Sequence, residues 1–367
     1  MKKLLFLLLL PALGATLAYG QISGTAGVWT DYNSNAFSDA LGGGTMTLGA
    51  FLDLAADWPF GNSPLSLSAD YSGSYSAYLS YLGRSHNDHL ASALLVLDIG
   101  KNGYAGLGGS FETQLNSADR MYYDNSSIAA ILESKLYLAN PVLFKIDGSI
   151  GKTTFSFFQD YDFNSFDIAS SLNLFLPTNT ALIGLVDYNR KSYVSGNDTL
   201  APQSIVYLSP RIKVTQALGQ HVGVALSFGT QQNKVTADSF YMPDTLLREV
   251  AEYFDYRGNR LEAQLTFLTP EGNKVVAYGN YNNKDFSSLY AYQEVPKDSS
   301  PFNRLPSGNL RKDAITELGI ELTLGLGELE AKATRLILGG NYLINSSNDP
   351  YYDFSRMLLS ATFEYSF

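Results

Sequence analysis

Residues able to do chemistry are sparse in this chain. There are three histidines, His86, His89 and His221, and no cysteine. "HNDH" at 86–89 brackets Asp88 and could offer imidazole and carboxylate groups to a metal. A fourth ligand is not evident, so no metal site is expected. No Gly-x-Ser-x-Gly elbow stands near any histidine. The glycines of "LGGGT" at 41–45 and "AGLGG" at 105–109 lack the lysine and following helix of a phosphate loop, and read as turn and strand glycines under packed aromatics. The chain is therefore expected to hold no catalytic residue and no cofactor, and not to be an enzyme. Its charge is arranged differently. Asp53, Asp57, Asp70, Glu112, Glu133, Asp147, Asp187, Glu262, Glu317, Glu321 and Glu364 fall at alternate positions of apolar-polar stretches, as do Lys135, Lys145, Lys191, Arg211, Lys213, Arg260 and Arg335. If these groups share the inner wall of one water-filled space, facing rows of opposite sign would set a transverse field and select among ions. The acid excess then points to mild preference for cations.

Such spacing requires elements of period two, and the sequence has them throughout. "TMTLGAFLDLAADW" sets Met46, Leu48, Ala50, Leu52, Leu54, Ala56 and Trp58 against Thr47, Gly49, Phe51, Asp53 and Asp57. "HVGVALSFGT" and "ELGIELTLGL" repeat the alternation, and the chain ends on it in "RMLLSATFEYSF". About sixteen strands can be assigned, with fourteen to eighteen compatible. They lie near 22–34, 45–58, 65–80, 90–100, 103–116, 126–139, 143–157, 166–176, 181–194, 203–217, 221–233, 255–268, 274–286, 313–324, 333–346 and 355–367.

The start of the chain is of another kind. Lys2 and Lys3 precede an unbroken apolar run, Leu4 to Leu10, and Ala18-Tyr19-Gly20 supplies small residues for cleavage. Residues 1–20 thus read as a secretory signal peptide and 21–367 as one domain. Of the 25 basic residues two lie in this leader, so 23 remain against 35 acidic ones and the net charge is −12. That balance argues against a nucleic-acid partner. The absence of cysteine excludes a disulfide framework. Beyond the leader no stretch is long enough for a transmembrane helix, but strands that cross a bilayer show only alternate apolar residues and escape that test.

Connector lengths alternate. Tight turns, such as "KNG" at 101–103, "PTNT" at 177–180, "PEGN" at 270–273 and "GLGELEA" at 325–331, alternate with longer polar segments near 35–44, 81–89, 116–121, 158–165, 195–202, 234–252, 287–312 and 347–352. Trp58 and Phe60 gather at one rim, and Tyr122, Tyr123, Phe157, Phe158, Tyr351 and Tyr352 at the other. A secreted β-sandwich or β-helix explains the alternation but not this rhythm or these aromatic rims.

The last strand, with Phe363, Tyr365 and a final Phe367 at alternate places, resembles that of bacterial outer-membrane β-barrel proteins, and the resemblance spans the mature chain. It implies a Gram-negative outer-membrane location, an antiparallel barrel with both termini in the periplasm, and recognition of Phe363, Tyr365 and Phe367 by the barrel-assembly machinery. Barrels of this size enclose an aqueous channel unless something fills it. The expected function is a porin-like channel for passive diffusion of small polar solutes or ions, embedded in outer-membrane lipid, possible as a homo-oligomer. The connectors 234–252, where Asp244 could cap a helix carrying Leu246, Leu247, Val250 and Phe254, and 287–312 could fold over its mouth. Two other functions stay open. One is a transporter of hydrophobic compounds, using inward Phe51, Phe175, Ile337 and Leu343. The other is a barrel subunit of an export or surface-assembly complex.

Overall fold

Alternation of apolar and polar residues leaves a strand one oily and one wet face, and an open sheet would also leave unpaired edges. The chain removes the edges by closure. The computed structural model describes residues 21–36, 38, 43–194, 202–236, 254–293, 306–329 and 332–367. The leader, and all but Phe254 of the 243–254 segment expected to form a helix, lie outside the described residues. Among the described residues sixteen strands form one closed antiparallel barrel, each strand paired with its sequence neighbours and the first with the last. They are β1 (Gln21–Asn33), β2 (Thr45–Pro59), β3 (Leu65–Tyr78), β4 (His86–Asp98), β5 (Gly103–Asn116), β6 (Asn125–Ala139), β7 (Val142–Phe155) and β8 (Phe163–Leu176). There follow β9 (Thr180–Tyr193), β10 (Ser204–Ala217), β11 (Val222–Thr236), β12 (Tyr256–Leu268), β13 (Lys274–Tyr292), β14 (Pro306–Leu329), β15 (Lys332–Ser347) and β16 (Phe354–Ser366).

The seam is made by backbone and ring together. Gly24 and Phe367 exchange both N–H···O bonds at 2.9 Å. The Phe367 ring fills the space a Cβ on Gly24 would need, so β1 accepts the ring because position 24 has no side chain. The Phe367 and Tyr365 rings stack with centroids 6.1 Å apart.

Large apolar side chains stay exposed on one face of the wall: Val28, Leu107, Ile128, Ile150, Ile212 and Leu318 are all more than half exposed. In a water-soluble protein this surface would have to be covered. It is the outer face, since the other carries Trp29 over Gly49, Phe51 over Gly27 and Tyr278 over Gly319, rings lying against the wall where glycine leaves room. The register keeps the two faces distinct around the whole circumference.

Four expectations need correction. Residues 86–89 are not in a connector but open β4, where His86 pairs with Ser76 and Asn116. The polar stretch looked like a loop because the strand continues past its apolar part. The 287–312 connector is shorter, since Tyr290 pairs with Leu310 and Tyr292 with Pro306 after bulges beyond Asp285. Similarly, strand pairing takes up much of 325–331, with β14 running to Leu329. Tyr351, expected in a rim girdle, is instead 1% exposed and packs edge-on against Tyr352.

Candidate functional site: the inner face of the barrel

The eighteen charged residues singled out by spacing occupy one face. The ladders that join them run Asp57↔Ser68, Asp53↔Ser72 and Asp70↔Ser92 on β2–β4, then Glu112↔Ser127, Glu133↔Asp147 and Lys135↔Lys145 on β5–β7. They continue through Lys191↔Ile205, Asp187↔Ser209, Arg211↔Gly229, Lys213↔Ser227 and Arg260↔Asn282 to Glu262↔Asn280, Glu317↔Leu343, Glu321↔Gly339 and Arg335↔Glu364. This face is not packed shut. Asp70, Glu112, Lys145, Asp147 and Arg335 remain exposed within the barrel. A cavity of about 460 Å³ runs along the wall past Glu133, Asp147, Asp167 and Asp187.

The two sides of this wall differ in how their acids are held. From β9 onward Asp187, Glu262 and Glu321 meet cations, whereas Glu317 accepts from Asn280 at 3.3 Å and, among the described residues, Glu364 forms no ion pair. Arg211 Nη2 lies 2.5 Å from Asp187 Oδ2 and its Nη1 3.8 Å from Glu262 Oε1, while Arg260 Nε lies 2.5 Å from Glu262 Oε1. Lys274 Nζ is 3.9 Å from Glu321 Oε1. On β2–β8 the carboxylates meet neutral donors or open space. Ser72 donates to Asp53 at 2.6 Å, and Asp167 accepts from Ser149 at 3.0 Å and from Asn189. Among the described residues Asp53, Asp70, Glu112, Glu133 and Asp147 form no ion pair.

At the end opposite the termini the inner face is filled on one side. Arg311 donates to Asp313 through one edge of its guanidinium, Nε–Oδ1 2.9 Å and Nη2–Oδ2 2.6 Å, with both side chains almost fully buried. Ser347 donates to Asp313 at 2.7 Å, and the Arg311 guanidinium lies 3.4 Å from the Tyr352 ring centroid. Across the mouth a cavity of about 350 Å³ is lined by Tyr78, Arg84, His86, Asn116, Arg120 and Tyr123, among others.

Sequence reasoning missed Asp167, Lys284, Arg311 and Asp313. Asp167 and Lys284 were legible, since they keep the inward parity of their strands. Arg311 and Asp313 lay in and beside a segment read as loop. The "HNDH" residues separate: His86 and Asp88 face inward with Nε2–Oδ2 at 3.3 Å, whereas His89 faces outward and its Nδ1 meets the Tyr71 hydroxyl at 2.9 Å. Of the apolar candidates, Phe51, Ile337 and Leu343 line the inner wall, and Phe175 borders a separate cavity at the end bearing the termini.

No protein-family model matches the chain, and no curated protein matches it. Solved structures do share the fold. OccAB1 of Acinetobacter baumannii aligns over 94% of this chain and 96% of its own, at 10% identity, with a TM-score of 0.54. The trimer form of OmpT, an outer membrane protein of Vibrio cholerae, aligns over 95% and 100%, at 11% identity and a TM-score of 0.52. A bacterial polysaccharide outer membrane secretin aligns over 94% and 97%, at 10% identity and 0.51. The chain has the porin-like barrel architecture of outer-membrane proteins.

Proposed function

We propose that the chain is an outer-membrane channel for passive diffusion of small polar solutes and ions, with mild preference for cations. The observation that carries this reading is the row of carboxylates on β2–β8 that face the interior without cationic partners. A paired acid presents little net field to a passing ion, whereas an unpaired one in a confined, poorly screened space attracts cations and repels anions. The exposed apolar outer face fits hydrocarbon, and closure leaves no backbone edge to satisfy there. In this reading residues 1–20 direct export, both termini lie in the periplasm, and the assembly machinery reads Phe363, Tyr365 and Phe367. Homo-oligomers are compatible with it.

The test is solute efflux from liposomes containing the refolded chain, with neutral, cationic and anionic solutes matched in size. Entry of the neutral solute with cation ahead of anion is expected. Efflux of none of them would leave the export-subunit or hydrophobic-transporter reading in its place.

A further inference from the structure

We propose that the outer face of β7–β14 binds phosphate-bearing lipid headgroups at the end of the barrel opposite the chain termini. The observation is a sorting of charge. Among the strand residues whose side chains are described, the Asp, Glu, Lys and Arg residues with outward parity are Lys152, Arg190, Lys234, Arg257, Lys312 and Asp285. All six are exposed. Five are cations in a chain whose net charge is −10, and none of the five makes an ion pair. The outward faces of β15, β16 and β1–β6 carry no such residue among those described.

The register makes these residues one band. Arg190 and Lys234 share a ladder row across β9, β10 and β11, through Val206. Two strand spacings set them about 10 Å apart. Arg257 pairs with Gln232, two residues from Lys234, and so stands diagonal to it. Arg257, Asp285 and Lys312 form a further row across β12–β14. Lys152 pairs with Asn164, and Asn164 with Ser192, two residues beyond Arg190.

What lies below the band identifies the partner. Along each strand toward the termini the outer face turns apolar: Ile150 after Lys152, Phe228 below Lys234, Leu261 below Arg257 and Leu318 below Lys312. Thr230, Gln232 and Asn259 intervene on β11 and β12. Apolar wall, then neutral donors, then unpaired cations is the order of acyl chain, ester or sugar, and phosphate in an anionic lipid. A soluble anion would meet the cations but gain nothing from the wall beneath them.

This inference rests on the membrane-spanning reading. The experiment is lipid retention by the refolded full chain in neutral detergent, measured by native mass spectrometry with diphosphoryl lipid A, phosphatidylglycerol and phosphatidylcholine. The comparison variant carries Lys152→Gln, Arg190→Gln, Lys234→Gln, Arg257→Gln and Lys312→Gln, with Lys152→Gln/Arg190→Gln as a milder second variant. Heat-modifiable migration and insertion into neutral vesicles establish that each is folded. Expected are retention of the two phosphate lipids over phosphatidylcholine, weakening with salt, and at least about tenfold loss in the fivefold variant, with an intermediate loss in the double one. Equal retention by the folded variants and the native chain overturns the proposal. So does displacement of the lipid by millimolar inorganic phosphate, which would make the band a free-anion site. A chain that does not insert into vesicles at all fails the membrane reading instead.

Discussion

Glu133 and Asp147 stand directly opposite each other across the β6–β7 ladder, and neither has a cationic partner. Two like charges at this separation repel, and a strand pair would be steadier without them. They are tolerated where the field they create is open to water and cations. Glu133→Gln with Asp147→Asn should therefore reduce cation preference in reversal-potential measurements while keeping the chain folded. Asp187→Asn should act differently. It removes the closer of the two acids that hold Arg211, at 2.5 Å against 3.8 Å for Glu262, and should move selectivity toward anions because the guanidinium charge is then less fully balanced.

The buried Arg311–Asp313 pair should matter for stability more than for conduction. Both side chains are nearly inaccessible, so removing one partner strands the other. Asp313→Asn should cost about 3–5 kcal/mol, whereas the joint replacement Arg311→Met/Asp313→Leu should cost much less. Denaturant midpoints of the refolded barrels measure both.

Trp29 lies flat across Gly49 on the inner wall, and a Cβ at position 49 would collide with the indole. Gly49→Ala should lift the ring into the lumen, lowering conductance and costing about 1–3 kcal/mol from overpacking. Pairing the change with Trp29→Ala should restore conductance.

Tyr161, in the connector between β7 and β8, packs edge-on to Phe155 and Phe158 with centroids 6.4 and 5.8 Å away, and its hydroxyl has no hydrogen-bond partner. Burial, aided by the neighbouring Asp160 carboxylate, pushes its phenol above the ordinary tyrosine range. The neutral form is the one the fold favours. Its stability contribution is fully present below the unfolded pKa and is lost as pH rises through the raised folded one. Protease cleavage at this connector should increase above about pH 10. Tyr161→Phe should abolish that rise and cost nothing at neutral pH, because the hydroxyl makes no bond to lose.

Period-two patterning made the barrel legible, because the outward Val28, Leu107 and Leu318 must be apolar whatever their neighbours are. It also set the parity of charges such as Glu133, Arg211 and Glu321. The mouth was not legible. Arg311, Asp313 and Tyr351 are polar or aromatic residues near a long connector, and their burial depends on β13 and β14 extending past the rim, which no local periodicity announces. Inward Leu94 and Leu143 are buried against the wall, and a binary pattern cannot tell such residues from lapses in alternation. Ion pairing is likewise a matter of register between strands. The difference between Asp187, which has Arg211, and Asp147, which has no cation, appears only once the ladder is known.

In the proposed channel the unpaired inner-wall carboxylates keep the interior open and favourable to cations. Single-channel recording of the refolded chain in a planar bilayer, under a potassium chloride gradient, tests it most directly. A steady conductance with a reversal potential of cation-selective sign, falling toward zero in Glu133→Gln/Asp147→Asn, is the predicted result. A folded barrel that stays silent, or one that conducts with anion-selective sign, would rule out a cation-leaning channel.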